Sequence, residues 1–156
     1  MNLVDKPLPF SRILLVDDMP SIHEDFRKVL TPADRPAALE AAERALFGTA
    51  CAPPPRVELD CASSGEEGLR FLRSAALEGR PYGMAFVDMR MPAGWDGLRT
   101  IEELWREDDE LQVVICTAYS DSPLEAALAR LGSPDRLLVL KKPFDPIEVT
   151  QLASAL

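Results

Sequence analysis

No stretch of this sequence holds the roughly 20 consecutive apolar residues that a bilayer-spanning helix needs, and Met1 to Pro7 lack the basic and then apolar pattern of a secretory signal. The protein is therefore expected in the cytoplasm. Cysteine is scarce: Cys51, Cys61 and Cys116 are an odd set with neither a CxxC pair nor a metal-ligand spacing, so reduced thiols are expected. Cys116, inside an apolar run, is expected as a small core residue. Histidine occurs once, at His23, with no second ligand beside it. Basic charge is in deficit, with 17 Lys and Arg against 26 Asp and Glu and a net charge of -9. That balance argues against a nucleic-acid or anionic-membrane partner and makes a divalent cation the more natural one.

What is present suits one domain with a full core, since 156 residues are 47% hydrophobic. The chain is organised around Met84 to Pro92, where a short apolar run stops on Asp88 and a loop with Pro92, Gly94 and Gly97 follows. A continuous apolar run of this length reads as a strand buried on both faces, with its carboxylate at the C-terminal tip. In open α/β sheets those tips line the ligand crevice, so Asp88 is a candidate reactive group. The plainer alternative is an Asp that only caps the helix beginning near Asp96.

The remaining elements follow in order. Residues 1–11 read as an irregular lead-in. Arg12–Val16 is a strand ending on Asp17 and Asp18, and Pro20 opens a helix to about Leu30. Ile22, Phe26, Val29 and Leu30 recur at helical spacing as its buried face, which leaves His23 on the other side as a solvated side chain. Residues 31–55 read as an insertion carrying one extra helix from about Ala37 to Phe47, either a decoration or a partner-binding surface. Arg56–Ala62 is a second strand. Ser63 or Ser64 followed by Glu66 or Glu67 is a capping box for a helix to about Leu77. After the strand carrying Asp88 come a helix at 98–106, a strand at Leu111–Cys116 ending on Thr117, and a helix from Ser122 to about Leu131. A fifth strand at Arg136–Leu140 ends on Lys141 and Lys142, and a last helix starts near Asp145. Strands alternating with helices imply right-handed crossovers and an α/β, doubly wound, five-stranded parallel sheet with helices on both faces.

Strand tips carrying two acids, one acid, a hydroxyl and a lysine are an improbable set for purely structural turns. Carboxylates crowded in one crevice repel unless a proton or cation compensates, and oxygen ligands suit Mg²⁺ or Mn²⁺ rather than zinc. Phosphoryl transfer asks for an in-line nucleophile and charges set against the equatorial oxygens, which makes Asp88 the phosphoryl acceptor.

The motifs Asp17-Asp18, Asp88-Met89-Arg90-Met91-Pro92, Gly97, Thr117-Ala118 and Lys142-Pro143-Phe144 stand in the order and spacing of a known family. From Arg12 to Leu156 the chain resembles a receiver domain of two-component response regulators and is similar to the chemotaxis response regulator, apart from the 31–55 insertion. The resemblance implies a flavodoxin-like sheet order 2-1-3-4-5, phosphorylation of Asp88, and Mg²⁺ bound directly by Asp18, Asp88 and the backbone carbonyl of Arg90, with Asp17 binding through water. It further implies that Lys142 rather than Lys141 pairs with the phosphoryl group, that Thr117 hydrogen-bonds it, and that the Lys142–Pro143 peptide is cis. The implied partners are a histidine kinase or phosphotransfer protein and an output or kinase domain in a longer parent chain, with a homodimer as a further option. Val139 departs from the pattern, since family members often carry an aromatic there.

Two other functions compete. A Mg²⁺-dependent phosphatase of the haloacid dehalogenase type needs a second acid two residues after its nucleophile, where Arg90 stands. A pseudo-receiver that only binds partners would have no use for the complete set of acids, hydroxyl and lysine.

Overall fold

The computed structural model describes residues 12–30, 45–46, 57–118, 124–132 and 135–155. Five strands, β1 (Arg12–Val16), β2 (Glu58–Ala62), β3 (Met84–Asp88), β4 (Gln112–Thr117) and β5 (Leu137–Lys141), form one sheet in the order β2-β1-β3-β4-β5. All four pairings are parallel. The helices between and after them are α1 (Pro20–Leu30), α2 (Gly65–Leu77), α3 (Gly97–Glu107), α4 (Leu124–Leu131) and α5 (Pro146–Ala155). This is the doubly wound sheet and the order 2-1-3-4-5 expected from the sequence. The expected lead-in lies outside the described residues. Of the 31–55 insertion only Ala45 and Leu46 are described, both helical and exposed.

The central strands carry unbroken apolar runs because successive side chains point to opposite faces and both faces are covered. Leu14, Val16, Ala85, Val87, Val113 and Ile115 face α2 and α3, meeting Leu69, Leu72, Ile101 and Leu104. Ile13, Leu15, Met84, Phe86, Val114 and Cys116 face the other way, toward Phe26 and Leu30 of α1 and Val149 of α5. There Phe26 meets Phe86 edge-on at 5.0 Å and Phe144 at 5.2 Å. Burying the Phe26 and Phe86 rings contributes about 1.5–3 kcal/mol each. These contacts tie α1 to β3 and to the segment that enters α5.

Local chemistry sets the helix ends. Ser64, extended at φ -149°, caps α2 by accepting from the Glu67 N–H, while the Glu67 carboxylate accepts from Ser63. The capping box thus uses Ser64 and Glu67 of the two pairs the sequence offered. Gly79, at φ +71°, lets the chain reverse after α2, with Arg80 N–H donating to Ala75 O.

Parallel register brings the strand tips to one edge. Val16 stands beside Val87 and Asp88 beside Cys116, so Asp17 and Thr117 flank Asp88 on neighbouring strands. Thr117 in turn stands beside Lys141, the residue before Lys142.

Candidate functional site

Asp88 ends a strand whose five residues are all buried, and it is itself 6% exposed. Its Oδ1 accepts a hydrogen bond from the Arg90 N–H at 3.2 Å, while the Arg90 side chain is exposed. Asp88 does not cap the following helix. That role belongs to Asp96, whose Oδ1 accepts from Arg99 N–H at 2.8 Å. Gly97 packs directly on the peptide that carries Asp88: a Cβ there would lie 2.4 Å from the Asp88 carbonyl oxygen.

Asp17 is almost completely buried and fully engaged. Its N–H donates to Ala62 O at 3.0 Å, its Oδ1 accepts from Met19 N–H at 2.9 Å, and its Oδ2 accepts from Lys142 Nζ at 3.1 Å. Asp18, the next residue, is exposed. Carboxylate oxygens of Asp17, Asp18 and Asp88 lie within 4.8 Å of one another. Lys142 also reaches Asp88 Oδ1, at 3.5 Å. Its backbone N–H donates to Thr117 O at 2.7 Å, which ties the chain after β5 to the tip of β4. The Lys142–Pro143 peptide is cis. Thr117 is buried, and its hydroxyl donates to Ala118 O at 3.3 Å. Lys141 points into solvent, with interactions of its own.

The electrostatics follow from this crowding. Burial pushes the Asp88 carboxyl above its ordinary range and the charge of Asp17 pushes it further, against the opposing pull of the Arg90 N–H and Lys142. For Lys142, burial alone would lower the ammonium, but Asp17 and Asp88 outweigh it and the group is raised. Three carboxylates against one ammonium leave excess negative charge in a partly desolvated crevice. A hard divalent cation with oxygen ligands would relieve it, so the residues fit Mg²⁺.

The six residues named from the sequence are placed as follows. Asp17, Asp18, Asp88 and Lys142 converge within ion-pair and ligand range. Thr117 stands on the adjacent tip, and Arg90 is fastened to Asp88 through its N–H. One expectation is corrected. His23 is buried rather than solvated, with Nε2 2.6 Å from the Asp17 carbonyl oxygen. The spacing held a signal for this, because His23, Phe26 and Leu30 stand at i, i+3 and i+7 and are the three buried residues of α1. Of the cysteines, Cys116 is buried as expected, Cys61 is half-buried and free, and Cys51 lies outside the described residues.

The model of the response regulator receiver domain family matches residues 43–154. Over 77 residues the chain is 31% identical to the transcriptional regulatory protein FixJ of Bradyrhizobium diazoefficiens, covering 49% of this chain and 36% of FixJ. Over 134 residues it is 27% identical to the C4-dicarboxylate transport transcriptional regulatory protein DctD of Pseudomonas aeruginosa, covering 86% of this chain and 22% of DctD. The chain thus spans only a minor part of either relative. The crystal structure of a response regulator receiver protein from Sinorhizobium medicae superposes with a TM-score of 0.63 at 23% identity, covering 94% of this chain and 92% of that one. At that identity the likeness speaks for the fold.

Proposed function

The chain belongs to the response regulator receiver domain family, and from that premise we propose that Asp88 accepts the phosphoryl group of a two-component relay. The observation that carries the reading is the Lys142 ammonium between two buried carboxylates, 3.1 Å from Asp17 and 3.5 Å from Asp88. An Asp88 oxygen attacks the phosphorus of the donor in line as the bond to the donor's leaving atom breaks. Lys142 then pairs with the new phosphoryl oxygens, and the Thr117 hydroxyl hydrogen-bonds one of them. The Arg90 N–H holds Asp88 Oδ1 and so presents the carboxylate in one orientation.

Mg²⁺, or Mn²⁺ in its place, would be held by Asp18, Asp88 and the Arg90 carbonyl, with Asp17 bound through water. Bound there, the cation would neutralise the excess negative charge and supply Lewis-acid stabilisation of the transferring group. In this reading the protein is a signalling module that catalyses only its own phosphorylation and dephosphorylation. Its donor is a histidine kinase or phosphotransfer protein in the cytoplasm, and its output lies in a linked domain, a partner or a second copy of the chain. Residues 1–156 form a single receiver domain, with 1–11 as lead-in and 31–55 as insertion.

The test is treatment with acetyl phosphate and Mg²⁺ followed by intact-mass measurement. One added phosphoryl group, base-labile and absent from Asp88→Asn, is the expected result. Equal labelling of Asp88→Asn would remove Asp88 as the acceptor.

A further inference from the structure

The histidine of α1 has no part in the phosphoryl chemistry just described, yet it is nine-tenths buried and touches the acidic trio's backbone. A carbonyl oxygen only accepts, so the contact requires a proton on His23 Nε2, which donates to Asp17 O across 2.6 Å. The first turn of α1 does not use that carbonyl. Its hydrogen bonds begin at Met19 O, which receives Ile22 N–H and His23 N–H, and Pro20 has no N–H to give. The imidazole reaches back past the helix start and satisfies a buried acceptor that would otherwise be costly to leave unpaired.

The consequence falls on Asp18. The Asp17 carbonyl and the Asp18 N–H share one planar peptide unit, so holding the carbonyl holds the plane from which Asp18 departs. Asp17 needs little further help, because its N–H and both carboxylate oxygens are already engaged. Asp18 is exposed, and its carboxylate must nonetheless be delivered to within 4.8 Å of the other two.

We infer that His23 is a positioning residue for the cation site: its Nε2–H fixes the Asp17–Asp18 peptide and through it the direction of the Asp18 carboxylate. The inference rests on the proposed role of Asp18 as a direct ligand. A histidine that only filled space in the core would be replaceable by an apolar side chain of similar size.

The test uses His23→Gln, whose amide nitrogen sits near the place of Nε2, against His23→Asn, one bond shorter, and His23→Leu, with no donor. Magnesium chloride titrations by calorimetry, run alongside thermal unfolding, are expected to show wild-type affinity in His23→Gln. In His23→Asn and His23→Leu the dissociation constant should rise roughly tenfold or more, as for other residues that support metal ligands. Should His23→Leu fail to fold, the Gln and Asn pair decides alone. Equal affinity across all folded variants, or a Gln variant that behaves like Asn, overturns the inference. Nitrogen NMR of the metal-free wild type is expected to show the Nε2-protonated ring, and an Nδ1-protonated neutral ring would overturn it equally. If wild type takes up no Mg²⁺, the cation reading of the site fails instead. The positioning claim is then judged by the Asp18 amide shift, expected to move in His23→Asn and to stay in His23→Gln; the same shift in both would refute it.

Discussion

Gly97→Ala is the smallest change that should disable the acceptor without touching a reactive group. An added Cβ would stand 2.4 Å from the Asp88 carbonyl oxygen and 2.5 Å from Met89 Cα, where ordinary contact begins near 3.4 Å. Both neighbours are backbone, so no side chain can swing aside, and the Gly97 N–H is held to Met89 O at 3.2 Å. Either α3 or the Asp88 peptide must therefore move by about 1 Å to reach ordinary contact. Such overpacking costs about 1–3 kcal/mol, and the helix preference of Ala over Gly returns about 1 kcal/mol at most. A net loss of about 0–2 kcal/mol at roughly 3 °C per kcal/mol lowers Tm by at most about 6 °C. The chemical effect should be larger than the thermal one, because misplacing a reacting group by about 1 Å can cost as much as 100-fold in rate. We expect labelling by acetyl phosphate to slow at least tenfold in a protein still folded at 25 °C. Gly132→Ala is the control: its φ is +63° and no atom of the described residues lies within 4 Å, so it should cost about 1–2 kcal/mol from backbone handedness and leave labelling unchanged. Wild-type labelling by a folded Gly97→Ala protein would refute the claim that this contact sets the position of Asp88.

Lys142→Met should be destabilising without Mg²⁺, because it leaves Asp17 and Asp88, with side chains 1% and 8% exposed, without their ammonium. Added Mg²⁺ should narrow the Tm gap to wild type, and a gap indifferent to Mg²⁺ would show that the cation does not share the site of the ammonium. Tyr82 gives a pH prediction. Its phenol is raised from an ordinary 10.0 by burial and then by its hydrogen bond to Asp60, made at 2.5 Å. The folded state therefore keeps a proton that the unfolded chain releases, so this contribution is full below about pH 10 and is lost as pH rises beyond it. Urea unfolding between about pH 9 and 11 should show a shallower loss of stability in Tyr82→Phe, and identical slopes would contradict the linkage.

Much of the fold was legible because its causes are local or periodic. The apolar runs within Arg12–Val16, Met84–Val87 and Leu111–Cys116 read as buried strands since both faces of a parallel sheet are covered. Their ends moved by a residue or so, as with β4 at Gln112–Thr117 and β5 at Leu137–Lys141, because pairing with a neighbour rather than composition ends a strand. Ser64 and Glu67 fell within the capping pattern read for α2, and Asp96 marked the start of α3.

Composition and motif spacing by themselves pointed to the fold class and to the candidate acids, hydroxyl and lysine, since alternating elements admit few topologies and each candidate residue follows an apolar run. Distances between tips were left to the tertiary structure, which alone separates two adjacent aspartates into a buried Asp17 and an exposed Asp18. It also brings Lys142 to Asp17 at 3.1 Å, across 125 positions of chain. His23 shows the same limit most sharply. Its helical spacing was compatible with the core, but a lone histidine is buried only where an acceptor waits for it, and that acceptor, the Asp17 carbonyl, is a backbone atom that no side-chain pattern reveals.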